Sequence, residues 1–339
     1  MNRKERVLAA LAHEECRPVP HHMDFTQQAL GRLVEYTGDA GVEGKLGACL
    51  HYIQYWGWPT EIEGRPGYFK DAFGVVWNRN GLDKDIGAVE EPLIPDLERS
   101  CYAFPDCDTA RLRRDIEAML ATRGDRFTMM GFGFCMFERA WSLLGMENVF
   151  YYMAACPDAL EGFLDRICDY YLRLIDIALE YDIDGMYFGD DWGQQRGLMM
   201  GPAHWRRFIK PRMARYYARV KAKGLPVLQH SCGDCHEIFP DLIEIGMDCY
   251  QTFQPEIYDI AEMKRLYGKQ LTFWGGVSVQ KALPVMTPDE LRREIRRVYG
   301  ILAPGGGFIL APTHALTPDI PPENMLAMAD AFLNQEQLG

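Results

Sequence analysis

From about residue 125 onward, short apolar runs alternate with longer amphipathic stretches. The runs Phe127–Phe132, Gly185–Gly189, Pro226–Gln229, Asp248–Thr252, Leu271–Trp274 and Gly307–Leu310 each end in polar or glycine-rich residues. Near-continuous apolar runs of this length are how the strands of a parallel sheet read when both faces are buried. Between them, Pro157–Tyr181, Pro202–Ala222, Pro255–Tyr267, Pro288–Leu302 and Pro322–Leu333 show helical spacing and open on a proline, which suits the first turn of a helix. An earlier run, Val19–Phe25, adds a seventh strand. The alternation predicts an α/β fold of repeated βα units, a (β/α)8 TIM barrel whose eighth strand has no distinct signature in the sequence.

Residues 60–105 break this rhythm. Tyr68–Asn80 alternates like a hairpin that turns near Phe73–Gly74, and an acidic, proline-rich stretch follows. This predicts a β-hairpin region inserted over the barrel, within a single domain spanning residues 1–339. No Gly/Ser-rich linker and no fixed-period repeat divides the chain.

Composition narrows the function classes. The net charge of −12 opposes binding to nucleic acid. No apolar run is long enough to span a membrane, and the start MNRKERVLAALAHEE breaks its apolar stretch with His13, Glu14 and Glu15. A cytoplasmic enzyme is therefore expected. Ten cysteines in 339 residues do not make a disulfide scaffold, because a core this large supplies stability by itself.

In a parallel barrel, reactive groups gather at the C-terminal ends of the strands. The run Val227-Leu228-Gln229-His230-Ser231-Cys232-Gly233 places an imidazole and a thiol two residues apart, and strand alternation puts both on one side. A catalytic zinc takes about three protein ligands and keeps one position open. His314, after the last strand, offers the third, and Glu138 a fourth. The plainer alternatives are a buried thiol beside a hydrogen-bonded His230, a redox pair Cys232–Cys235, and a loop histidine at 314. Asp190 and Asp191 end another strand; adjacent residues point opposite ways, so one faces the cavity as general base or substrate anchor and the other caps a loop or pairs with an arginine. Trp192, Phe132 and Phe134 are candidates to stack a substrate ring, and His22, Asp24 and Gln251 to bind its polar groups, with ordinary core packing as the alternative for at least one of the phenylalanines.

The sequence resembles the uroporphyrinogen decarboxylase superfamily. The resemblance lies in Asn2-Arg3-Lys4-Glu5-Arg6-Val7, Asp71-Ala72-Phe73-Gly74-Val75, Phe137-Glu138-Arg139-Ala140-Trp141, Gly189-Asp190-Asp191-Trp192-Gly193, His230-Ser231-Cys232-Gly233, Trp274-Gly275-Gly276-Val277, and the stretch from Gly306-Gly307-Phe308-Ile309-Leu310 to Pro321-Pro322-Glu323-Asn324. It implies a (β/α)8 barrel. Uroporphyrinogen decarboxylases carry an arginine-rich motif after the first strand, where this chain reads Pro20-His21-His22-Met23-Asp24-Phe25 with no arginine until Arg32. A multiply anionic tetrapyrrole has no clamp there, which weighs against cofactor-free decarboxylation. The zinc- and cobalamin-dependent methyltransferase branch carries His-x-Cys and a later cysteine; this chain matches His230 and Cys232 but has His314 in the last place.

An imidazole-rich zinc is the stronger Lewis acid and suits polarising an oxygen leaving group, as in O-demethylation. The resemblance thus implies a substrate-side methyltransferase that moves a methyl group from a methoxylated or otherwise methylated small molecule to cobalamin on a separate corrinoid protein, since the chain shows no Asp-x-His-x-x-Gly motif for holding a corrinoid itself. The reverse direction, from methylcorrinoid to a thiol or folate acceptor, and a non-catalytic binding barrel stand as alternatives. A homodimer is compatible with a barrel of this size.

Overall fold

The computed structural model describes residues 1–81 and 85–338. Seven parallel strands form one curled sheet in the order Leu50–Tyr55, Phe127–Phe132, Gly185–Gly189, Val227–His230, Cys249–Phe253, Thr272–Val277, Phe308–Pro312. The strand without a sequence signature is Leu50–Tyr55. Between Leu50 and Tyr55 its residues are partly buried, with Gln54 exposed, so the run Leu-His-Tyr-Ile-Gln-Tyr lacks the apolar continuity that marks its neighbours.

The expected strand Val19–Phe25 does not form a regular ladder. It closes the gap between the last and first strands with isolated bridges, His21 to Leu310 and Phe25 to Leu316. His22 N–H donates to the Leu310 carbonyl at 3.0 Å, and Cys49 N–H on the other side donates to the His21 carbonyl at 2.9 Å. Pro18 and Pro20 have no N–H to give a ladder, which limits this stave to scattered bonds. The strand pair Cys249–Phe253 and Thr272–Val277 shifts register between Tyr250 and Phe253, and this irregularity falls at Gln251.

Inside the barrel, Leu50, Phe127, Met129, Tyr187, Leu228, Cys249, Trp274 and Ile309 pack together with Val7 and Ala10 of the helix Arg3–Leu11. That helix covers the N-terminal ends of the strands: Lys4 N–H donates to the Asp125 carbonyl just before one strand, and Gly307 N–H, just before another, donates to the Ala10 carbonyl.

Helices Pro288–Leu302 and Pro322–Leu333 match expectation. The stretch expected as one helix over 202–222 is divided: helical turns Gly201–His204 and Lys210–Lys221 flank a wide π-type turn at Trp205–Ile209. Pro211 cannot donate to the carbonyl four residues earlier, and the wide turn lies just ahead of it. The expected helix over 255–267 begins only at Ile260, where Asp259 caps the amides of Ala261 and Glu262.

The hairpin over 68–80 is present with Tyr68 opposite Asn78 and Lys70 opposite Val76. Thr60–Glu61 and Ala88–Val89 extend it to a four-stranded antiparallel sheet. Residues 82–84 of the inserted stretch lie outside the described residues. The sheet is fastened to the barrel by a fully buried ion pair, Arg139 to Asp71 at 2.8 Å. Asp71 also accepts from Phe73 N–H, Val75 N–H and the Trp77 indole, while Arg139 reaches the Trp56 carbonyl and stacks on Phe73. Two of the segments that carry the family resemblance, at 71–75 and 137–141, are thus the two halves of one buried contact.

Candidate metal centre

Strand alternation that turns Leu228 into the inner core turns His230 the same way, and the chain leaves the strand there. His230, Cys232 and His314 come together at the barrel mouth, with one ligand atom from each within 4.8 Å of the others. His230 Nε2 is 3.7 Å from Cys232 Sγ, and the His230 and His314 rings meet nearly edge to face at 5.6 Å between centroids. Two backbone loops press together behind Cys232. A Cβ at Gly193 would stand 2.6 Å from the Cys232 carbonyl, and Gly233 has φ of +78° with the Gly193 backbone against it. Only glycine fits both places.

The orientation of His230 is fixed from behind. Its Nδ1 meets Gln251 Oε1, which also accepts from the Tyr187 hydroxyl at 2.9 Å. An amide oxygen only accepts, so Nδ1 carries a proton and the lone pair can sit on Nε2, beside Cys232. Gln251, expected to bind substrate, also acts as the acceptor that sets this tautomer. Asp191 bonds the Cys232 amide at 2.7 Å and stands 3.3 Å from His230 Nε2. Burial disfavours charge on His230, but the neighbouring Asp191 carboxylate draws its pKa above the usual value. Burial likewise works against charge on Asp191, and its bond to His230 pulls it the other way, down to about 2. The Cys232 thiol is pushed well up by burial and by Asp191, a situation that a bound cation would reverse.

Next to these three groups lies a cavity of about 340 Å³. Tyr52, Trp56, Phe134 and Tyr187 give it aromatic walls, and Asp24, Asp85, Glu138 and Asp191 bring carboxyl groups to it. Asp24 is held by His22 at 2.9 Å and by the Tyr52 hydroxyl at 2.6 Å. Burial raises its pKa, yet His22 and Tyr52 outweigh that and hold it below the usual carboxylate value. Glu138 is driven well above its usual range by burial and by the Asp191 and Asp190 charges. A second cavity, about 480 Å³, lies beyond Cys232 and His314 and is lined by Gln195, Gln254, Gln280 and Asp319. His314 faces both.

Several expected site residues stand elsewhere. Asp190 is fully buried and accepts from the backbone N–H groups of Met136, Phe137 and Glu138 and from the Trp192 indole. It caps the helix Phe137–Leu144 and does not line the cavity; its neighbour Asp191 does, as alternation along a strand requires. Trp192 is fully buried against Trp205, and Phe132 against Tyr171 and Phe188, so neither ring can stack a ligand. His22 sits behind Asp24, outside the cavity lining. Glu138 lines the cavity but lies outside the His230–Cys232–His314 group. Cys235, of the redox alternative, is fully buried, with its thiol against Ser231 Oγ at 3.3 Å. Sequence reasoning missed Tyr52, Trp56 and Tyr187. Tyr52 and Trp56 belong to the unrecognised strand and its exit, and Tyr187 lies inside a strand rather than at its end.

The family model for uroporphyrinogen decarboxylase (URO-D) matches residues 89–334. A methylated-thiol–coenzyme M methyltransferase of Methanosarcina mazei is 21% identical over 160 residues, 47% of this chain and 41% of that protein. The chain thus aligns with less than half the length of that relative. A uroporphyrinogen decarboxylase of Syntrophotalea carbinolica is 20% identical over 247 residues, covering 69% of this chain and 68% of that one. A solved methyltransferase structure from Methanosarcina mazei superposes with a TM-score of 0.75 at 20% identity, covering 99% of both chains, which establishes a shared fold. Among the described residues, no helix is long and apolar enough to cross a membrane.

Proposed function

The chain belongs to the uroporphyrinogen decarboxylase family, and from that premise we propose that it is a zinc-dependent methyltransferase, moving a methyl group from a methylated small molecule to the cobalt of a corrinoid on a separate protein. The observation behind this reading is the convergence of His230, Cys232 and His314 beside a cavity. The donors suit zinc in kind, two imidazoles and one thiol. Two donors of a tetrahedral zinc, one nitrogen and one sulfur, lie about 3.6 Å apart, and His230 Nε2 and Cys232 Sγ are 3.7 Å apart. The methyltransferase relatives support the activity class.

A zinc held by these three side chains would supply a Lewis acid at the edge of the cavity. The rest of the work belongs to the chain. Gln251 holds His230 in one orientation and one tautomer. Asp191 anchors the Cys232 backbone. The aromatic walls would hold and orient the donor and displace water from it. A tetrapyrrole decarboxylase would need cations for the substrate's carboxylates, and neither arginine nor lysine stands among the described residues lining the cavity.

Elemental analysis of the protein purified without chelator, with His230→Ala, Cys232→Ala and His314→Ala in parallel, tests the reading. About one zinc per wild-type chain, lost in each folded variant, and methyl transfer to a reduced corrinoid carrier are expected. Wild-type protein that retains no zinc after zinc is supplied would overturn it.

A further inference from the structure

The cavity walls combine aromatic surface with negative charge. Tyr52, Trp56, Phe134 and Tyr187 line it together with Asp24 and Asp191, and the described lining residues include no arginine or lysine. Arg79 stacks on Trp56 and Phe69 and does not line the cavity. Asp24 is fixed in place by His22 and Tyr52, so its charge stays at the wall. The Tyr52 ring packs edge to face on Tyr187 at 5.4 Å, and Trp56 lies against Phe134 at 6.0 Å, giving two aromatic pairs around one space. Even with a divalent ion on His230, Cys232 and His314, two carboxylates and a thiolate exceed its charge.

A neutral ether or arene has no use for that charge, and an anionic donor or acceptor would be repelled by it. Aromatic faces with carboxylates nearby are what a desolvated organic cation needs. We propose that the methyl donor is a quaternary ammonium compound whose methylated head is held by Tyr52, Trp56, Phe134 and Tyr187 and balanced by Asp24. This names the substrate class of the methyltransferase reading and rests on it. The carbon–nitrogen bond breaks with both electrons kept by nitrogen, which leaves as a neutral tertiary amine. The methyl carbon takes the electron pair of the reduced corrinoid cobalt on the carrier, and that cobalt is formally oxidised by two electrons. No proton moves. A quaternary nitrogen has no lone pair to offer a metal, so recognition of the head rests on the cavity walls and not on His230, Cys232 and His314.

Binding therefore tests the proposal without metal or carrier. Calorimetry compares choline with 3,3-dimethyl-1-butanol, its neutral isostere, and with methoxybenzene. Choline is expected to bind at least tenfold more tightly than either, and Asp24→Asn and Phe134→Leu, each checked for an unchanged melting temperature, should weaken choline about tenfold while leaving the neutral isostere nearly unaffected. Equal binding of the two isosteres, preference for methoxybenzene, or no choline binding overturns the proposal. A methoxyarene demethylated by the wild-type protein would do the same while leaving the transfer reading standing. A quaternary ammonium compound that binds as expected, yet gives no methyl to any supplied corrinoid carrier, would instead overturn the transfer reading and with it the compound's role as donor, leaving only its binding to the cavity walls.

Discussion

Replacing Asp71 by asparagine should be among the most damaging single substitutions in the chain, although Asp71 touches no ligand. Both side chains of the Arg139–Asp71 pair are fully buried. Asp71 accepts four hydrogen bonds, from Phe73, Val75, Trp77 and Arg139. Asparagine keeps the size, removes the charge and turns an amide N–H₂ toward those donors. The Arg139 guanidinium is then buried without a counter-charge, which costs about 3–5 kcal/mol, a large part of the about 5–15 kcal/mol that a folded domain has in total. Arg139→Met leaves Asp71 with its three other donors and should cost about 3 kcal/mol. The double variant buries no lone charge, so its loss should fall short of the sum of the singles by at least about 2 kcal/mol. Urea unfolding followed by far-ultraviolet circular dichroism measures all three. The Arg139 bond to the Trp56 carbonyl at 2.8 Å adds a second expectation, that the aromatic wall of the cavity loosens and choline binding weakens in Arg139→Met. Additive losses, or a loss under about 1 kcal/mol for Asp71→Asn, would refute the reasoning that this pair fastens the insertion to the barrel.

Gln251→Leu removes the acceptor that fixes His230, and zinc affinity measured by competition with a chromophoric chelator should fall about 10–100-fold; the buried Tyr187 hydroxyl loses its acceptor too, so the melting temperature should also drop. Gly233→Ala should abolish zinc retention while far-ultraviolet circular dichroism still reports a folded barrel, because its φ of +78° and the Gly193 backbone leave no room for a Cβ behind Cys232. His21, 3% exposed, is pulled down to about 4 by burial. Its folded pKa lies below the unfolded value of about 6.5, so the unfolded chain binds the extra proton and stability falls as pH drops through that interval, by about 3 kcal/mol from this residue. In His21→Gln, denaturant unfolding at a series of pH values should show that part of the slope removed; an unchanged slope would contradict the assignment.

Much of the barrel was legible in the sequence because the physical signal was local. Buried parallel strands such as Phe127–Phe132 must be apolar on both faces, and proline at Pro288 and Pro322 marks helix starts through its own geometry. Leu50–Tyr55 escaped because its exposure is mixed, and Val19–Phe25 became a stave of isolated bridges because its prolines deny it donors. The strand-end histidines and cysteine were legible for the same local reason, since their chemistry and their position after an apolar run are both written in the chain.

The sequence by itself determined the run of strands and helices, the acidic balance, and the placing of His230, Cys232 and His314 at strand ends. Tertiary structure alone decided which groups face the cavity. Asp190 and Asp191 are identical in chemistry and adjacent in sequence, yet one is consumed by the three amides of a helix start and the other looks onto the site. Trp192 and Phe132 belong to the core, and Tyr52 and Tyr187, with Trp56 just past a strand end, face the cavity from strands whose neighbours are set by pairing across the barrel. The reason is that a side chain's direction relative to a cavity depends on sheet register and loop packing, which are fixed by contacts between residues far apart in the chain.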